Sequence, residues 1–238
     1  MIAVKNLVKH YEVNGQVVEA VRGVDLQIDK GDFSALAGPS GSGKTTLLNM
    51  IGGLDYPTSG TISIGGDIIN NYNPKQMSQM RLRKIGFVFQ AYNLIPVLTC
   101  IENVEYILLL QGVNKSERRA RAAEILDEVG LEREKNRRPN ELSGGQQQRV
   151  AIARAIVSKP DIILADEPTA NLDQKTGADL LDMMHSLNRS KKITFLFSTH
   201  DSMVMDRSDR IIRLKDGIIE KDEVKNILNN AATTPIRR

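Results

Sequence analysis

The chain has 238 residues, 41% of them hydrophobic, which is enough for one large domain or for one domain with an added lobe. Its net charge is only +3, with 32 basic and 29 acidic residues interleaved along the sequence, and this balance argues against nucleic acid as a partner. The single cysteine, Cys100, excludes an intrachain disulfide, fits a reducing compartment and is interpreted as a buried apolar residue.

No apolar stretch reaches the roughly 20 residues of a membrane-spanning helix. The longest apolar runs, residues 162–165 and 194–197, have the length of β-strands. The N-terminal residues 1–13 alternate in polarity and carry charge, which is not typical of a signal peptide. We therefore expect a soluble protein, and we expect any role at a membrane to depend on a partner.

Strand patterns dominate the first part of the chain. The predicted strands are residues 2–8, 17–28, 33–37, 61–66 and 85–90. A turn at 29–32 joins two of them, and a helix from about residue 45 to residue 51 follows a glycine-rich loop. The strand-rich start indicates an antiparallel β patch beside the main sheet.

A helical and more highly charged pattern replaces the strands from residue 91 to about residue 159. Its clearest helical segments are 101–111 and 116–129. Strand patterns return from residue 161, with a helix at 174–189 between them. A helical region is therefore inserted between two strand-rich parts of the sequence.

This order of elements predicts an α/β fold with a mainly parallel sheet. We predict one domain over residues 1–222, in which residues 1–90 and 160–222 form the core lobe and residues 91–159 form an inserted helical subdomain. Residues 223–238 are predicted to be a C-terminal helix or a frayed tail.

A phosphate-binding loop is predicted directly after the strand at 33–37. Residues 38–45, GPSGSGKT, match G-x-x-x-x-G-K-[ST] at every fixed position. Glycines let such a loop curl until backbone N–H groups converge on phosphates; Lys44 adds a charge against the phosphate oxygens, and the Thr45 hydroxyl can bind Mg²⁺. The predicted nucleotide-binding residues are Gly38, Pro39, Ser40, Gly41, Ser42, Gly43, Lys44, Thr45 and Thr46. The motif by itself leaves ATP and GTP open.

Two carboxylates follow the apolar strand IILA at 162–165. Pro168 forces a turn directly after them and ends the strand. Asp166 and Glu167 can therefore have different chemical roles at the same site. We predict that Asp166 reaches Mg²⁺. We predict that Glu167 is the general base that polarises the water attacking the γ-phosphate.

His200 and Gln90 also follow apolar strands. Neighbouring parallel strands would bring both side chains to the edge of the sheet where α/β folds bind ligands. We predict that His200 hydrogen-bonds the γ-phosphate and orients the attacking water. We predict that Gln90 reaches Mg²⁺ or that same water.

A second anion-binding helix start is predicted in residues 141–155, ELSGGQQQRVAIARA. Ser143 can cap this helix, Gly144 and Gly145 can form the turn, and the free N–H groups and the positive end of the helix dipole suit an anion. The chain therefore contains two phosphate-binding patterns about a hundred residues apart.

Together these motifs resemble those of the ATP-binding-cassette (ABC) ATPase family. Residues 38–45 are similar to its Walker A loop, LSGGQ at 142–146 to its signature sequence, and IILADE at 162–167 to its Walker B strand with the catalytic glutamate. Gln90 is similar to its Q-loop glutamine and His200 to its switch histidine. The resemblance covers nearly the whole chain with all motifs in order. It implies a P-loop NTPase core of the RecA-like type, ATP with Mg²⁺, and ATP hydrolysis.

The resemblance also implies a head-to-tail homodimer, in which the signature helix start of one subunit covers the ATP on the P-loop of the other. The residues implied to contact the partner's ATP are Ser143, Gly144, Gly145 and Gln146. Asp173, in the D-loop-like NLD at 171–173, is implied to link the two sites, and Tyr11 is implied to stack on adenine. ATP binding would close the pair and hydrolysis would loosen it.

A finer similarity favours one subgroup. Residues 39–60, 89–104 and 141–156 resemble the subgroup that contains the lipoprotein-releasing ATPase and the ATPase domain of the macrolide exporter. The cell-division and peptide-antibiotic-resistance ATPases are close alternatives. Members pair with integral membrane permeases that have few membrane helices and a large outer domain, which implies force transmission from the cytoplasmic face of the inner membrane.

The helical subdomain is then expected to receive a cytoplasmic segment of the permease. Residues 91–99, AYNLIPVLT, either form one wall of that groove or pack the subdomain against the core. The alternative from a different class is a soluble ABC-type ATPase that acts without a permease. The short spacing between P-loop and signature, without a coiled coil or a zinc hook, argues against the ATPases of DNA repair.

Overall fold

Two β-sheets and seven α-helices make up residues 1–225, the part of the chain that this computed structural model describes. The strands are β1 (Ile2–Val13), β2 (Gln16–Ile28), β3 (Phe33–Ala37), β4 (Ser59–Ile64), β5 (Asp67–Ile68), β6 (Ile85–Val88), β7 (Ile162–Asp166), β8 (Phe195–Thr199), β9 (Arg210–Lys215) and β10 (Ile218–Val224). The helices are α1 (Lys44–Ile51), α2 (Pro74–Lys84), α3 (Cys100–Leu110), α4 (Lys115–Glu128), α5 (Gly144–Ile156), α6 (Gln174–Lys191) and α7 (Ser202–Arg207), and a 3₁₀ turn spans Pro139–Glu141.

The larger sheet has six strands in the order β10-β9-β3-β8-β7-β6. Strands β9, β3, β8, β7 and β6 run parallel, and β10 adds an antiparallel edge. The smaller sheet, β2-β1-β4-β5, is antiparallel throughout. The predicted α/β fold, with a mainly parallel sheet and an antiparallel patch, is confirmed.

The central strands of the larger sheet are buried on both faces. On β8, Phe195 and Phe197 join the core that contains residues of helices α3 to α7, whereas Leu196 joins the core that contains residues of α1 and the smaller sheet. On β7, Ile163 and Leu164 divide between the two cores in the same way. A parallel sheet covered on both sides requires this kind of continuous apolar strand.

Helices α3, α4 and α5 lie between β6 and β7 in the chain. Leu108 of α3, Leu126 of α4 and Ile152 of α5 belong to the same apolar cluster as Phe33 of β3. The inserted helical segment therefore packs on the sheet through a continuous core, which fixes the start of α5 relative to the strand ends.

Helix α2 is absent from the sequence prediction because its surface is polar and only Met77 and Met80 are buried. Its start nevertheless carries a local signal. Asn73 accepts a hydrogen bond from the Gln76 N–H, the Gln76 side chain accepts one from the Asn73 N–H, and Pro74 occupies the first helical position. The six-residue helix α7 is also absent from the prediction.

The predicted domain end at residue 222 falls inside a strand of the larger sheet. Strand β10 continues to Val224, which pairs with Arg210 of β9, because the antiparallel ladder keeps the backbone groups of both strands hydrogen-bonded. The strand predicted at 85–90 is also too long, since pairing with β7 ends at Val88 and leaves Gln90 in a turn. The rest of the predicted C-terminal helix or tail, residues 226–238, lies outside the described residues.

Within residues 1–225, no helix is both long and apolar enough to cross a bilayer. Cys100 is only 1% exposed, and its Sγ donates a hydrogen bond to the Arg137 carbonyl oxygen at 3.2 Å. Burial raises the pKa of the Cys100 thiol to about 11. This residue is the buried apolar side chain that the sequence predicts, and it stays protonated at neutral pH.

Candidate nucleotide site

The predicted site residues lie at the C-terminal ends of the parallel strands. Gly38 directly follows β3, Asp166 ends β7, and His200 directly follows β8, which lies between those two strands in the sheet. Gln90 follows the neighbouring strand β6 after a one-residue gap. The topology therefore collects these side chains along one edge of the sheet, where α/β folds bind their ligands.

Two glycines of the phosphate loop are required by close backbone contacts. A Cβ atom on Gly38 would collide with the Leu214 carbonyl of β9, and one on Gly43 would collide with the Ala20 carbonyl of β2. Gly43 also has a φ of 98°, in the left-handed region that favours glycine. The loop is thus held between two strands in the curled shape that a phosphate cradle needs.

Lys44 is only 7% exposed and folds back over its own loop. Its ammonium donates hydrogen bonds to the carbonyl oxygens of Gly38 at 2.7 Å and Pro39 at 2.8 Å. Burial lowers the pKa of Lys44, whereas the nearby carboxylates of Glu167 and Asp166 raise it. The cation is therefore placed over the loop, within reach of phosphate oxygens bound there.

Thr45 and Asp166 are adjacent, as two ligands of one metal ion must be. The Thr45 Oγ1 lies 3.3 Å and 3.4 Å from the two carboxylate oxygens of Asp166. Hydroxyl and carboxylate oxygens are the ligands that Mg²⁺ prefers, and the ion usually keeps several waters and substrate oxygens beside them. These two residues fit Mg²⁺.

Gln90, the third predicted metal ligand, contacts a different residue in this structure. Its side-chain Nε2 lies 3.5 Å from the Asn171 Oδ1, and the Asn171 Nδ2 donates a hydrogen bond to the Gln90 carbonyl at 3.0 Å. The Q-loop residue is thus tied to the NLD segment. Its contact with Mg²⁺ or water stays a prediction.

Glu167 leaves the regular strand geometry. Its φ of 45° is left-handed, which costs a non-glycine residue on the order of 1 kcal/mol. Its N–H donates to the Ser198 carbonyl at 2.9 Å, and its carboxylate accepts hydrogen bonds from the Thr199 hydroxyl at 3.2 Å and from the His200 ring at 2.6 Å. The strained turn brings Glu167 to the same sheet edge as Asp166.

The contact with Glu167 restricts what His200 can donate. When the His200 Nδ1–H donates to Glu167, the Nε2 of a neutral ring can only accept a hydrogen bond. Binding of a phosphate oxygen at Nε2 therefore requires a protonated ring or release of Glu167. The His200 side chain is 64% exposed, so its outer edge is accessible to substrate. Its role at the γ-phosphate stays a prediction.

The predicted second anion site lies at the start of α5. Ser143 Oγ accepts a hydrogen bond from the Gln146 N–H at 3.3 Å, and the Gln146 side chain accepts one from the Ser143 N–H at 3.0 Å. Gly144 and Gly145 are the first two helical residues, whose N–H groups have no partner within the helix. The helix start can therefore offer these two donors to an anion.

Asp173 caps helix α6 beside that helix start. Its side chain accepts a hydrogen bond from the Thr176 N–H at 3.0 Å, and the Thr176 side chain occupies the space that a Cβ on Gly145 would fill. Asp173 thus has a local structural role. Its predicted role in coupling two sites across a dimer stays a prediction.

Tyr11 lies next to the start of α1. Its hydroxyl donates a hydrogen bond to the Asp55 carboxylate at 2.5 Å, and the Lys9 ammonium lies 4.7 Å from its ring centroid. Burial and the contact with Asp55 raise the pKa of Tyr11, and a hydrogen bond with Thr46 lowers it. Tyr11 is 36% exposed, so part of the residue is accessible to a base.

Tyr11→Ala is expected to weaken ATP binding, because base–aromatic stacking contributes about 1–3 kcal/mol, or roughly a 5- to 150-fold rise in Kd. Tyr11→Phe is the matched control, since it keeps the ring and removes only the hydrogen bond to Asp55. Titration of each variant with a fluorescent ATP analogue measures the effect. Equal affinities for the alanine variant and the parent protein would rule out stacking.

Sequence reasoning missed two contacts that organise the site. Thr199 orients the Glu167 carboxylate, and its only sequence signal is that it directly precedes His200 at the end of an apolar strand. Asn171 holds Gln90, and no local pattern predicts this pair, because the two residues are 81 positions apart.

Known proteins are similar to this chain over most of its length. The family profile described as "ABC transporter" matches residues 21–170, more than half of the chain. The lipoprotein-releasing system ATP-binding protein LolD of Alcanivorax borkumensis is 43% identical over 221 residues, covering 93% of this chain and 97% of that protein. The macrolide export ATP-binding/permease protein MacB of Mannheimia succiniciproducens is 42% identical, covering 100% of this chain and 37% of that longer protein.

A solved structure has the same fold. The ATP-binding cassette MJ0796 of Methanocaldococcus jannaschii, in a dimeric post-hydrolysis state bound to ADP and Pi, superimposes with a TM-score of 0.86 at 46% identity. The match covers 94% of this chain and 98% of that one. The predicted family, nucleotide and reaction are confirmed by these similarities. The chain belongs to the ABC transporter family and is an ATP-binding cassette subunit that hydrolyses ATP with Mg²⁺.

Proposed function

We propose that two copies of this chain bind ATP head to tail and drive a membrane permease of the lipoprotein-release or macrolide-export type, from the cytoplasmic face of the inner membrane. The 43% identity to LolD over 97% of that protein's length carries this proposal. The similarity to MacB, a protein named as both ATP-binding protein and permease, supports the same class.

Each site residue has one task in the proposed reaction. Lys44 and the N–H groups of the phosphate loop hold the phosphates of ATP. Thr45 and Asp166 hold Mg²⁺, which when bound neutralises charge on the phosphate oxygens. Glu167 takes the proton of the attacking water, and His200 holds the Glu167 carboxylate in place.

The proposed dimer explains the second phosphate-binding pattern. In the described structure, a Cβ atom on Gly144 would meet Tyr92 and Leu172, and one on Gly145 would meet Thr176; none of these residues belongs to the phosphate loop. A second copy can place its γ-phosphate against this helix start, where the two free N–H groups and Ser143 donate hydrogen bonds. Loss of that phosphate removes these contacts and loosens the pair. The dimeric state of MJ0796 is consistent with this pairing.

A groove beside α2 and β6 is the proposed docking place for the permease. Its volume is about 400 Å³, and its apolar lining includes Leu54, Phe87, Phe89 and Ile107. Phe87 and Phe89 stack with their ring centroids 5.5 Å apart. Phe89 directly precedes Gln90, so a segment that presses on this stack acts on the Q-loop.

Arg154, at the same groove, donates hydrogen bonds to the carbonyl oxygens of Tyr92 at 2.9 Å and Asn93 at 2.6 Å. Of residues 91–99, only Asn93 lines the groove, whereas Leu94 packs against the core of the helical segment. The packing interpretation of residues 91–99 is therefore favoured over that of a groove wall.

Leu54→Glu is expected to abolish co-purification of a permease while leaving ATP binding unchanged, because it places a charge in the apolar groove at a residue that is 48% exposed. Ile68→Glu is the matched control, since Ile68 is 53% exposed on β5 outside the groove lining. The measurement is a pull-down of each tagged protein from detergent-solubilised membranes, followed by mass spectrometry.

The identity of the captured protein tests the subgroup. A stoichiometric permease with few membrane helices and a large outer domain supports the proposed class. A permease with many membrane helices contradicts it. Absence of any membrane protein from the parent pull-down contradicts the membrane role and favours a soluble ABC-type ATPase.

A further inference from the structure

Gln148 connects three parts of the site, although no sequence motif singles it out. It lies on α5, one helical turn after Gly144, and its side chain is 0% exposed. Its Nε2 donates hydrogen bonds to the Pro168 carbonyl at 2.8 Å and to the Phe89 carbonyl at 3.4 Å. These are carbonyls of the residue after Glu167 and of the residue before Gln90.

The orientation of the Gln148 amide follows from its neighbours. Both neighbours are carbonyl oxygens, which only accept hydrogen bonds, so the NH₂ group must face them. The Gln148 Oε1 is left buried without a hydrogen-bond partner. Burying the Oε1 without a partner costs free energy, which the two hydrogen bonds donated by the Nε2 offset, whereas a methionine of similar length would fill the same space with no polar atom. Packing alone therefore does not account for glutamine here.

The geometry points to Gln148 as a positioning residue, and we propose that it transmits movement of the signature helix to the general base and to the Q-loop. This inference rests on the proposed roles of Glu167 and Gln90. Because Pro168 lacks an N–H, its carbonyl is the backbone hydrogen-bonding group it can offer. Gln148 uses that group to hold the peptide beside the strained backbone of Glu167.

The distance along the helix suits this task. Gln148 lies four residues after Gly144, so an α-helix places it about 6 Å along the axis from the anion-binding start. A helix moves as a rigid element over such a length. When a phosphate pulls the start of α5, the Gln148 amide moves with it and shifts the loops that contain Phe89 and Pro168.

Gln148→Met tests the proposal, because it keeps the volume and removes both hydrogen bonds. We expect kcat for ATP hydrolysis to fall at least about tenfold, equivalent to about 1.4 kcal/mol, because a small misplacement of the base slows the chemical step. The KM for ATP should stay close to the parent value, since the phosphate loop is unchanged. The melting temperature should fall by only a few degrees, because the Pro168 and Phe89 carbonyl oxygens each lose a hydrogen bond while the side-chain volume is kept. In a Glu167→Gln background, ATP should still produce a dimer, because the start of α5 is intact.

Gln147→Met is the matched control. Gln147 is the adjacent glutamine on α5, and within residues 1–225 its side chain donates only to the Leu142 carbonyl. Its kcat is expected to equal that of the parent. If the methionine variant of Gln148 does not fold, Gln148→Asn replaces it: this variant keeps the amide but is one methylene too short to reach the Pro168 carbonyl.

An unchanged kcat in a folded Gln148 variant would overturn the proposal. So would a fall in kcat that is accompanied by an equal loss of ATP binding and by a drop of many degrees in melting temperature, which indicates a packing role. The proposed function is tested separately, because failure of Glu167→Gln alone to form a dimer with ATP counts against head-to-tail pairing, whereas Gln148 is judged by its kcat.

Discussion

Replacing Glu167 with glutamine is expected to lower ATP hydrolysis at least about 100-fold while ATP binding is retained. An amide has nearly the same shape as the carboxylate but does not accept a proton from the attacking water. The neighbouring groups should stay in place, since the Glu167 N–H keeps its hydrogen bond to the Ser198 carbonyl and Thr199 can still donate to the amide oxygen. Because hydrolysis no longer removes the γ-phosphate, ATP should also trap a dimer.

The measurement combines phosphate release with size-exclusion chromatography in ATP and Mg²⁺. Glu132→Gln is the control, because Glu132 is an exposed carboxylate in the segment between α4 and α5. It should hydrolyse ATP at the parent rate and form no trapped dimer. Normal turnover by Glu167→Gln would reject Glu167 as the base.

Mixing two inactive variants is expected to restore ATP hydrolysis if each site is shared between two copies. Lys44→Ala removes the cation that faces the phosphates, and Ser143→Arg blocks the start of α5. Each variant alone should retain below about 1% of the parent rate, because each lacks groups that stabilise the transition state. In a mixed dimer, the intact phosphate loop of one subunit meets the intact α5 start of the other.

One of the two sites in each mixed dimer is therefore complete. Because random pairing makes about half of the dimers mixed, recovery of up to about one quarter of the parent rate is expected. The control replaces the Lys44→Ala subunit with one that carries both substitutions, which leaves no complete site and should give no recovery. Ser143 is exposed, so loss of its cap should cost only about 1 kcal/mol, and melting temperatures verify folding. Absence of recovery with folded proteins would contradict a shared site.

Sequence motifs predicted the local features of the site well, because each motif encodes a backbone requirement within a few residues. The glycines of residues 38–45 are needed where the loop approaches β9 and β2, and a side chain at Gly38 or Gly43 would collide with those strands. Ser143 and Gln146 form the reciprocal cap that starts α5. Such requirements fix the residue types at neighbouring positions of the sequence. They can therefore be recognised before the tertiary structure is known.

The ends of helices and strands were predicted less well where an element ends because its strand pairing ends, and not because its residue types change. The apolar pattern of residues 85–90 continues to Phe89, yet the strand ends at Val88 because its ladder with β7 ends there. Strand β10 continues past residue 222 because β9 offers it a partner. Helix α2 buries only two methionines, so its periodicity is weak despite a clear start signal at Asn73 and Pro74.

The sequence by itself determined the family, the nucleotide and the edge of the sheet that holds the site, and it supplied the prediction of which residues meet phosphate and Mg²⁺. Only the tertiary structure decided how those residues are held. Gln90 with Asn171, Tyr11 with Asp55, and Gln148 with Phe89 are separated by 81, 44 and 59 positions. Such hydrogen bonds depend on how α5 packs on the sheet and how loops meet at its edge. These hydrogen bonds follow no periodic pattern along the chain, because they join segments that are distant in sequence and that only the folded structure brings together.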